Sequence, residues 1–237
     1  MSEEFWNNQI SVGYYDKLHT SGLKKGRGFQ TGWHHSTFLI MSEKIEKNQI
    51  HLDFACGPGT FIREYLNNSS TGVDVSEKQI EYAKKFDKEN NYYILSEFKK
   101  LNFTNNFDVI TVIGLLEFLT DEEIVDLIKY LKSLLKKHGK INFTTPNFRG
   151  LMLIFSYMIK YFSDVNYDDQ WVKKRGKKDI LKIFKENNIN NFEIEKNLNI
   201  GLLLSTLNIK LGLIVNNIVS KISRFHLGWI LFIKISK

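Results

Sequence analysis

The sequence predicts an α/β fold with a mostly parallel sheet, and three observations carry that prediction. Short runs rich in β-branched and aromatic residues alternate with amphipathic helical stretches across residues 49–147. A glycine-bearing loop follows the first of these runs, as Cys56-Gly57-Pro58-Gly59-Thr60. The unusual polar residues, Asp53 and Asp74 among them, collect where the runs end. In parallel sheets that edge is where ligands sit.

Gln49 to Ala55 (QIHLDFA) reads as the first strand, and a helix through Phe61, Ile62 and Leu66 follows the glycine loop. Thr71 to Val75 reads as the second strand, with Asp74 at its tip. Ser76-Glu77-Lys78-Gln79 has the pattern of a capping box, opening a helix that presents Ile80, Ala83 and Phe86 on one face. Tyr92 to Leu95 and Phe107 to Ile113 are the third and fourth strands. Thr120-Asp121-Glu122-Glu123 is a second capping box. It opens a helix whose Ile124, Leu127, Ile128, Leu131, Leu134 and Leu135 form the stripe of a helix docked on a sheet. His138 and Gly139 are expected to close that helix, with Lys140 to Thr144 as the fifth strand. Farther on, Asp179 to Glu186 reads as a helix, and Phe192 to Lys196 and Trp229 to Ile235 as strands.

The bulk numbers suit one medium domain: 237 residues, 43% hydrophobic and 25% charged. The lone cysteine, Cys56, rules out an intramolecular disulfide framework and fits a reducing compartment. The first residues lack a basic segment followed by an apolar run, so a cytoplasmic protein is expected. The net charge of +7 reads either as a solvated basic surface or as attraction to an anionic partner. No apolar run reaches the roughly 20 residues of a membrane span. No dense His, Cys and Asp cluster suggests a metal site.

The loop Asp53-Phe54-Ala55-Cys56-Gly57-Pro58-Gly59 departs from the dinucleotide pattern G-x-G-x-x-G, because it has no third glycine at the required offset. Its acid would suit a cationic ligand rather than a pyrophosphate. At this point the sequence resembles the class I S-adenosylmethionine (SAM) dependent methyltransferases. LDFACGPGT resembles their first motif, with Ala55 in place of the first glycine. GVDVSEKQIEYAKK resembles the second, SEFKKLNFTNNFDVI the third and fourth strands, VIGLLEFLTDEE the loop after strand four, and GKINFTTPN strand five. Within the class the likeness is to the quinone-biosynthesis-like and general small-molecule branch.

The resemblance implies a Rossmann-like three-layer sandwich with a mostly parallel seven-stranded sheet and a C-terminal reversed β-hairpin. It implies one domain over residues 1–237. In it, residues 1–48 form an N-terminal lid, 49–147 the SAM-binding core, and 148–237 an acceptor-side insert and the hairpin. It also implies cofactor contacts at Asp53, Ala55, Gly57, Gly59, Asp74 (ribose), Glu97 (adenine amino group) and Ile113 (adenine face), with Arg27 on the cofactor's carboxylate. His34, His35 and Glu117 are candidates for chemistry; the competing reading is that the histidines pack the lid and Glu117 is a surface or lid contact. The family's Glu-His pair after strand four is here Glu117-Phe118, so the histidine is missing.

The expected function is methyl transfer to a small-molecule acceptor, apolar or lipid-linked. A sugar or other polar metabolite, and a SAM-binding module without catalysis, stand as alternatives. No Asn/Asp-Pro-Pro-Tyr-like tetrapeptide and no Pro-Cys pair is present, which disfavours nucleic acid. Two apolar segments, Leu151–Phe162 and Leu202–Ile222, are expected to line the acceptor's entrance or to bury their stripes on the sheet. The second places Leu207, Leu211, Ile214, Ile218 and Ile222 on one helical face. Peripheral membrane contact is the sharper of those two readings. Oligomeric state is left open.

Overall fold

The computed structural model describes residues 3–158, 172–222 and 228–237. The chain begins with helices α1 (Glu3–Asn8), α2 (Tyr14–Lys25) and α3 (Phe29–Ser42). The alternating core follows as β1 (His51–Phe54), α4 (Thr60–Tyr65), β2 (Ser70–Asp74), α5 (Glu77–Phe86), β3 (Asn91–Ile94), α6 (Leu95–Lys100), β4 (Phe107–Ile113), α7 (Asp121–Leu134) and β5 (Leu135–Pro146). Then come α8 (Leu151–Met158), α9 (Lys177–Glu186), β6 (Phe192–Asn197), α10 (Gly201–Leu204), α11 (Ile209–Ile222) and β7 (Ile230–Ser236).

The strands form one seven-stranded sheet in the order β3-β2-β1-β4-β5-β7-β6. The first five are parallel, while β7 runs antiparallel between β5 and β6. This is the expected Rossmann-like sheet with its reversed hairpin. One face buries Leu52, Phe54, Ile110 and Val112 against Phe98 of α6 and the stripes of α7 and α9. The other packs Phe38 and Met41 of α3, Phe61 of α4 and Met152 of α8 against Ile230 and Phe232 of β7. The antiparallel strand β7 feeds both layers alternately, as its period-two side-chain geometry requires.

Local details divide. The second capping box forms: Thr120 Oγ1 accepts from the Glu123 amide at 3.1 Å, and the Thr120 amide donates to Glu123 Oε2 at 2.8 Å. The first does not. Ser76 Oγ instead donates to Asn7 Oδ1 at 2.9 Å; Gln79 Nε2 donates to the Ser11 carbonyl, and Gln79 Oε1 accepts from the Gly13 amide. These side chains hold the N-terminal segment rather than their own helix end. Phe86 is exposed against Tyr82, not buried with Ile80 and Ala83. His138 and Gly139 do not cap α7. They lie within β5, where His138 is left-handed (φ 68°) and the β4–β5 register shifts.

The N-terminal helices are tied to the core chiefly through buried Asp16 of α2. Its Oδ1 accepts from Thr60 Oγ1 at 2.9 Å and from Arg63 Nη2 at 2.5 Å, and its Oδ2 accepts from Tyr82 OH at 2.8 Å. Asp16→Ala would strand three donors at once, one of them the cation of a mostly buried pair. Urea unfolding should show a loss of about 2–4 kcal/mol. A loss below about 0.5 kcal/mol, typical of a solvent-screened pair, would mean that this hub does not anchor the segment.

Candidate functional site

The carboxyl ends of β1, β2, β4 and β5 open into one cavity of about 1060 Å³, roofed by α2 and α3. Typical ligand pockets run to about 300–1,000 Å³, so this one has room for two molecules side by side. Its charged lining comprises Asp53, Asp74, Lys99, Glu117, Glu123 and Asp126, from the ends of β1 and β2, from α6, and from the loop and helix after β4. The rest is largely apolar and aromatic: Trp6, Tyr15, Phe29, Trp33, Phe38 and Phe155. Exposed Lys99 of α6 and Asp126 of α7 reach the surface at the lining, as do exposed Leu203 of α10 and Thr206 in the turn after it.

Asp53 is the most constrained group in the wall. Thr111 Oγ1, from the neighbouring strand β4, donates to Asp53 Oδ1 at 2.6 Å. Thr111 Oγ1 is in turn 2.9 Å from His51 Nε2, and His51 Nδ1 is 2.9 Å from Ser70 Oγ on β2. With the threonine proton on the carboxylate, a neutral imidazole donates from Nε2 and leaves Nδ1 as acceptor for Ser70 Oγ, whose longer contact, 3.3 Å, is to the Asn68 carbonyl. Full burial keeps His51 neutral, its pKa lowered to about 3, as that assignment demands. A directed chain of hydrogen bonds thus crosses three strands to reach Asp53. Burial pushes the Asp53 carboxyl up to about 7; the Thr111 bond opposes that shift and the nearby Asp74 charge adds to it. A carboxylate in this state favours a cationic neighbour.

The loop after β1 is shaped by backbone more than by side chains. Ala55 is left-handed (φ 65°), a conformation that suits glycine better. Gly57 (φ 52°) leaves open space where a Cβ would stand, on the cavity side of the loop. The Gly57 amide donates to Asp74 Oδ2 at 2.8 Å, and Asp74 Oδ1 accepts from the Ser76 amide at 2.9 Å. Burial raises the Asp74 pKa, against these backbone bonds. Cys56 lies buried beneath the loop with its thiol pushed well up, so it stays protonated. A cradle open at Gly57 and flanked by buried Asp53 and half-buried Asp74 fits a cationic, ribose-bearing ligand. No His/Cys/Asp/Glu group suited to a metal occurs among the described residues.

Glu117 is buried in the cavity wall after β4 and accepts from Thr145 Oγ1 at 3.0 Å. Desolvation raises its pKa to about 7, while the Thr145 bond and the Arg175 charge act the other way. Arg175 holds this loop: it donates to the Leu116 and Leu119 carbonyls at 3.0 and 2.8 Å and pairs with Asp121 at 2.6 Å. His34 lines the cavity, and burial lowers its pKa to about 3, so it is neutral.

Several expected residues lie elsewhere. His35 is not in the lining; its Nδ1 is 2.5 Å from Tyr65 OH, whose other partner is His19 Nε2 at 2.8 Å. A phenol has one proton to give, so one of these histidines must donate to it. Glu97 points into solvent from α6, and Leu95 and Lys99 line the cavity in its place. The acidic turn expected between β3 and β4 is a helix, which rotates Glu97 outward. Arg27 is exposed beyond α2 and also outside the lining, because the left-handed Gly26 turns the chain away there. Gly59 sits at the N-cap of α4 behind the lining, where an added Cβ would strike the Tyr92 ring. Asp53, Ala55, Gly57, Asp74, Ile113, His34 and Glu117 do share the one cavity. Sequence reasoning missed His19, Thr111, Tyr65 and Arg175. Cross-strand register and loop return place them, and neither leaves a local sequence signal.

Residues 52–139 match the family model described as a methyltransferase domain. No curated protein matches the chain. Among solved structures, a SAM-dependent methyltransferase from Archaeoglobus fulgidus is 20% identical, covering 87% of this chain and 94% of that one at a TM-score of 0.59. The plantazolicin methyltransferase BamL, solved with a triazolic desmethylPZN analog and S-adenosylhomocysteine (SAH), is 16% identical, covering 99% and 94% at 0.62. A possible histamine N-methyltransferase from Thermotoga maritima is 12% identical, covering 95% and 99% at 0.61. Residues 52–139 therefore match a methyltransferase domain, and the chain has the Rossmann-like fold seen in these SAM-dependent methyltransferase structures.

Proposed function

We propose that this enzyme methylates a small, largely apolar acceptor by in-line displacement. In this reading residues 1–48 roof the site, 49–147 hold SAM, and 148–237 supply the acceptor wall and hairpin. The observation that carries it is the polarity of the cavity. Two of its acids, Asp53 and Asp74, stand at the ends of β1 and β2, and Glu117, Glu123 and Asp126 follow β4; the other walls include Phe29, Trp33, Phe38, Met152 and Phe155. The solved neighbours do not choose the acceptor for this chain, since one is a plantazolicin methyltransferase holding a triazolic desmethylPZN analog and another a possible histamine N-methyltransferase.

When bound, SAM supplies an electrophilic methyl on a good leaving group. The protein's contribution is placement and a dry environment. Asp74, at the tip of β2, is assigned to the ribose hydroxyls. Asp53 is assigned to the ammonium of the methionine part, with Ala55 and Gly57 letting the backbone come close. Ile113 is assigned to the adenine face. Glu117 takes the acceptor's proton where the nucleophile carries one, and a carboxyl poised near 7 suits that task. His34, held neutral, packs the acceptor side. His35 and Tyr65 brace α3 against α4.

Three outcomes test the reading. Asp74→Ala should weaken SAM binding by about 1.5–3 kcal/mol, the scale of hydrogen bonds to a charged group; unchanged calorimetric affinity in a folded variant would reject the ribose assignment. Asp53 holds a proton in the free protein below about pH 7, and the cofactor's cation displaces it. Affinity should therefore rise with pH up to that point, by at most about tenfold per unit. Calorimetry in buffers of different ionisation enthalpy should register the released proton, and Asp53→Asn should abolish it. Absence of proton release in the wild type would refute the ammonium contact. Glu117→Gln should lower kcat by about 10²–10⁴-fold and remove the acidic limb of the pH–rate profile; a retained rate and profile would show that Glu117 is not the base.

A further inference from the structure

Helix α11 carries its apolar stripe on the outside. Leu207, in the turn before it, is 74% exposed, and Leu211, Ile214 and Ile218 are 46%, 54% and 49% exposed. The opposite side docks through small and polar residues. A Cβ on Gly212 would come 2.1 Å from Ser205 Oγ, and one on Gly201 would come 2.6 Å from the Asn216 amide. Asn199 and Asn216 bond across the same contact, the Asn199 amide donating to Asn216 Oδ1 at 3.1 Å. The helix thus sits so close to α10 that no large side chain fits between them; Ile209 is buried at its start, and Leu211, Ile214 and Ile218 face away from the protein. Within the segment Leu202–Ile222, Leu202 is buried against β7, while the stripe of Leu207, Leu211, Ile214 and Ile218 is not buried on the sheet.

The charges around this stripe have one sign. From Lys196 to Lys237 the sequence contains no Asp or Glu, nor does it from Lys17 to Ser42. These two acid-free stretches meet in space. The Ile209 amide donates to the Gly26 carbonyl at 2.9 Å, and the Gly28 amide to the Ser205 carbonyl at 2.7 Å. That brings exposed Lys24, Lys25 and Arg27 alongside Leu207 and the start of α11, which itself carries exposed Lys210 and Lys221. The apolar rim of the cavity adjoins this surface, since exposed Leu203 of α10 and Thr206 in the turn after it also line the cavity. Among the described residues no helix is long and apolar enough to cross a membrane.

We propose that α10, α11 and the C-terminal end of α2 form a docking face for an anionic lipid surface, with the acceptor end of the cavity opening beside it. An exposed apolar stripe flanked by lysine and arginine is the composition of an interfacial helix. Each cation near an anionic leaflet adds to the attraction, and the apolar stripe inserts at the boundary. A second copy of the chain suits the face less well, because a two-fold contact would set Lys24, Lys25, Arg27 and Lys210 against themselves. The idea that the acceptor enters from the lipid rests on the apolar-acceptor reading above; the docking face does not.

The test is co-sedimentation of the full chain with vesicles of phosphatidylserine and phosphatidylcholine, and with phosphatidylcholine alone, without acceptor or turnover. Binding is expected to the anionic vesicles and to fall by about tenfold or more in neutral ones. Leu207→Glu/Leu211→Glu and, separately, Lys24→Glu/Lys25→Glu should each reduce binding to the anionic vesicles by a similar factor. Both variants should retain SAH affinity by calorimetry, which reports that they are folded. No binding to anionic vesicles overturns the proposal. So does binding that the leucine variant leaves intact, since that would be attraction to a polycation alone. A concentration-dependent dimer that the leucine variant dissociates, without vesicle binding, would assign the face to a second copy instead. A failed acceptor assay with intact vesicle binding would count against the apolar-acceptor reading and not against the docking face.

Discussion

The site is organised by the burial of a carboxylate at the end of a strand. Asp53 sits where β1 stops, with almost no exposure, and solvent offers it little help. Its stability there depends on groups that the sheet supplies. Thr111 gives it a proton to lean on, His51 fixes the direction in which Thr111 points, and Ser70 completes the chain from β2. These residues meet because β2, β1 and β4 are adjacent and parallel, which puts Ser70 beside His51, and Asp53 beside Thr111, in register. A buried acid braced this way remains short of a counter-charge. Asp74 lies close enough to make that shortage worse. The acid-rich end of the cavity is therefore a place where a cation is stabilised and a neutral ligand gains little, which matches the sulfonium and ammonium of the cofactor.

The same logic separates the two carboxyls near neutral pH. Asp53 and Glu117 are both raised to about 7 by burial, yet their surroundings differ. Asp53 has acids for neighbours and faces the loop that meets the cofactor. Glu117 has the Arg175 charge near it and a threonine partner. In the proposed reading, a bound cation would draw Asp53 into its ionised state, whereas Glu117 would be left to exchange a proton. Arg175 matters through geometry. By clamping the carbonyls of Leu116 and Leu119 it fixes the loop on which Glu117 rides, which no contact within that loop could do.

Much of this architecture was legible because it is local. Strand runs, the helical stripe of α7 and the Thr120 capping box depend on residues a few positions apart, and they form as read. The D-x-A-x-G-x-G loop and the acid at the tip of β2 were legible for the same reason. Misreadings arose where a local pattern had a distant competitor. Ser76 and Gln79 have the spacing of a capping box, but the N-terminal segment offered them Asn7, Ser11 and Gly13 instead. Glu97 read as a turn acid until α6 wound the backbone and turned it outward. Leu207, Leu211, Ile214 and Ile218 share one helical face, and that spacing is equally consistent with docking on a sheet. Gly201, Gly212 and Ser205 decided the matter by allowing an approach too close for leucine. The His51–Thr111 relay left no mark in the sequence, since it exists only once the strands are in register.

The way the N-terminal helices are fastened bears on how an acceptor reaches the site. Asp16 joins α2 to Thr60, Arg63 and Tyr82, His35 and His19 share Tyr65 of α4, and Ser76 and Gln79 grip residues 7–13. Opening that roof as a hinged lid would break most of these bonds together, several of them buried, at a cost of several kcal/mol. The far end of the cavity is fastened more lightly, by two backbone bonds, Gly28 amide to Ser205 carbonyl and Ile209 amide to Gly26 carbonyl. Beside them Phe29 and Phe155 of the lining and Trp229 behind it meet through ring contacts, at 4.6–6.2 Å between centroids, and Leu203 and Thr206 are exposed. Sliding aromatic rings past one another sacrifices no hydrogen bond. Exchange of an apolar molecule is therefore cheapest at that end, on the side of the protein that carries apolar side chains and positive charge and no acid from α10 or α11.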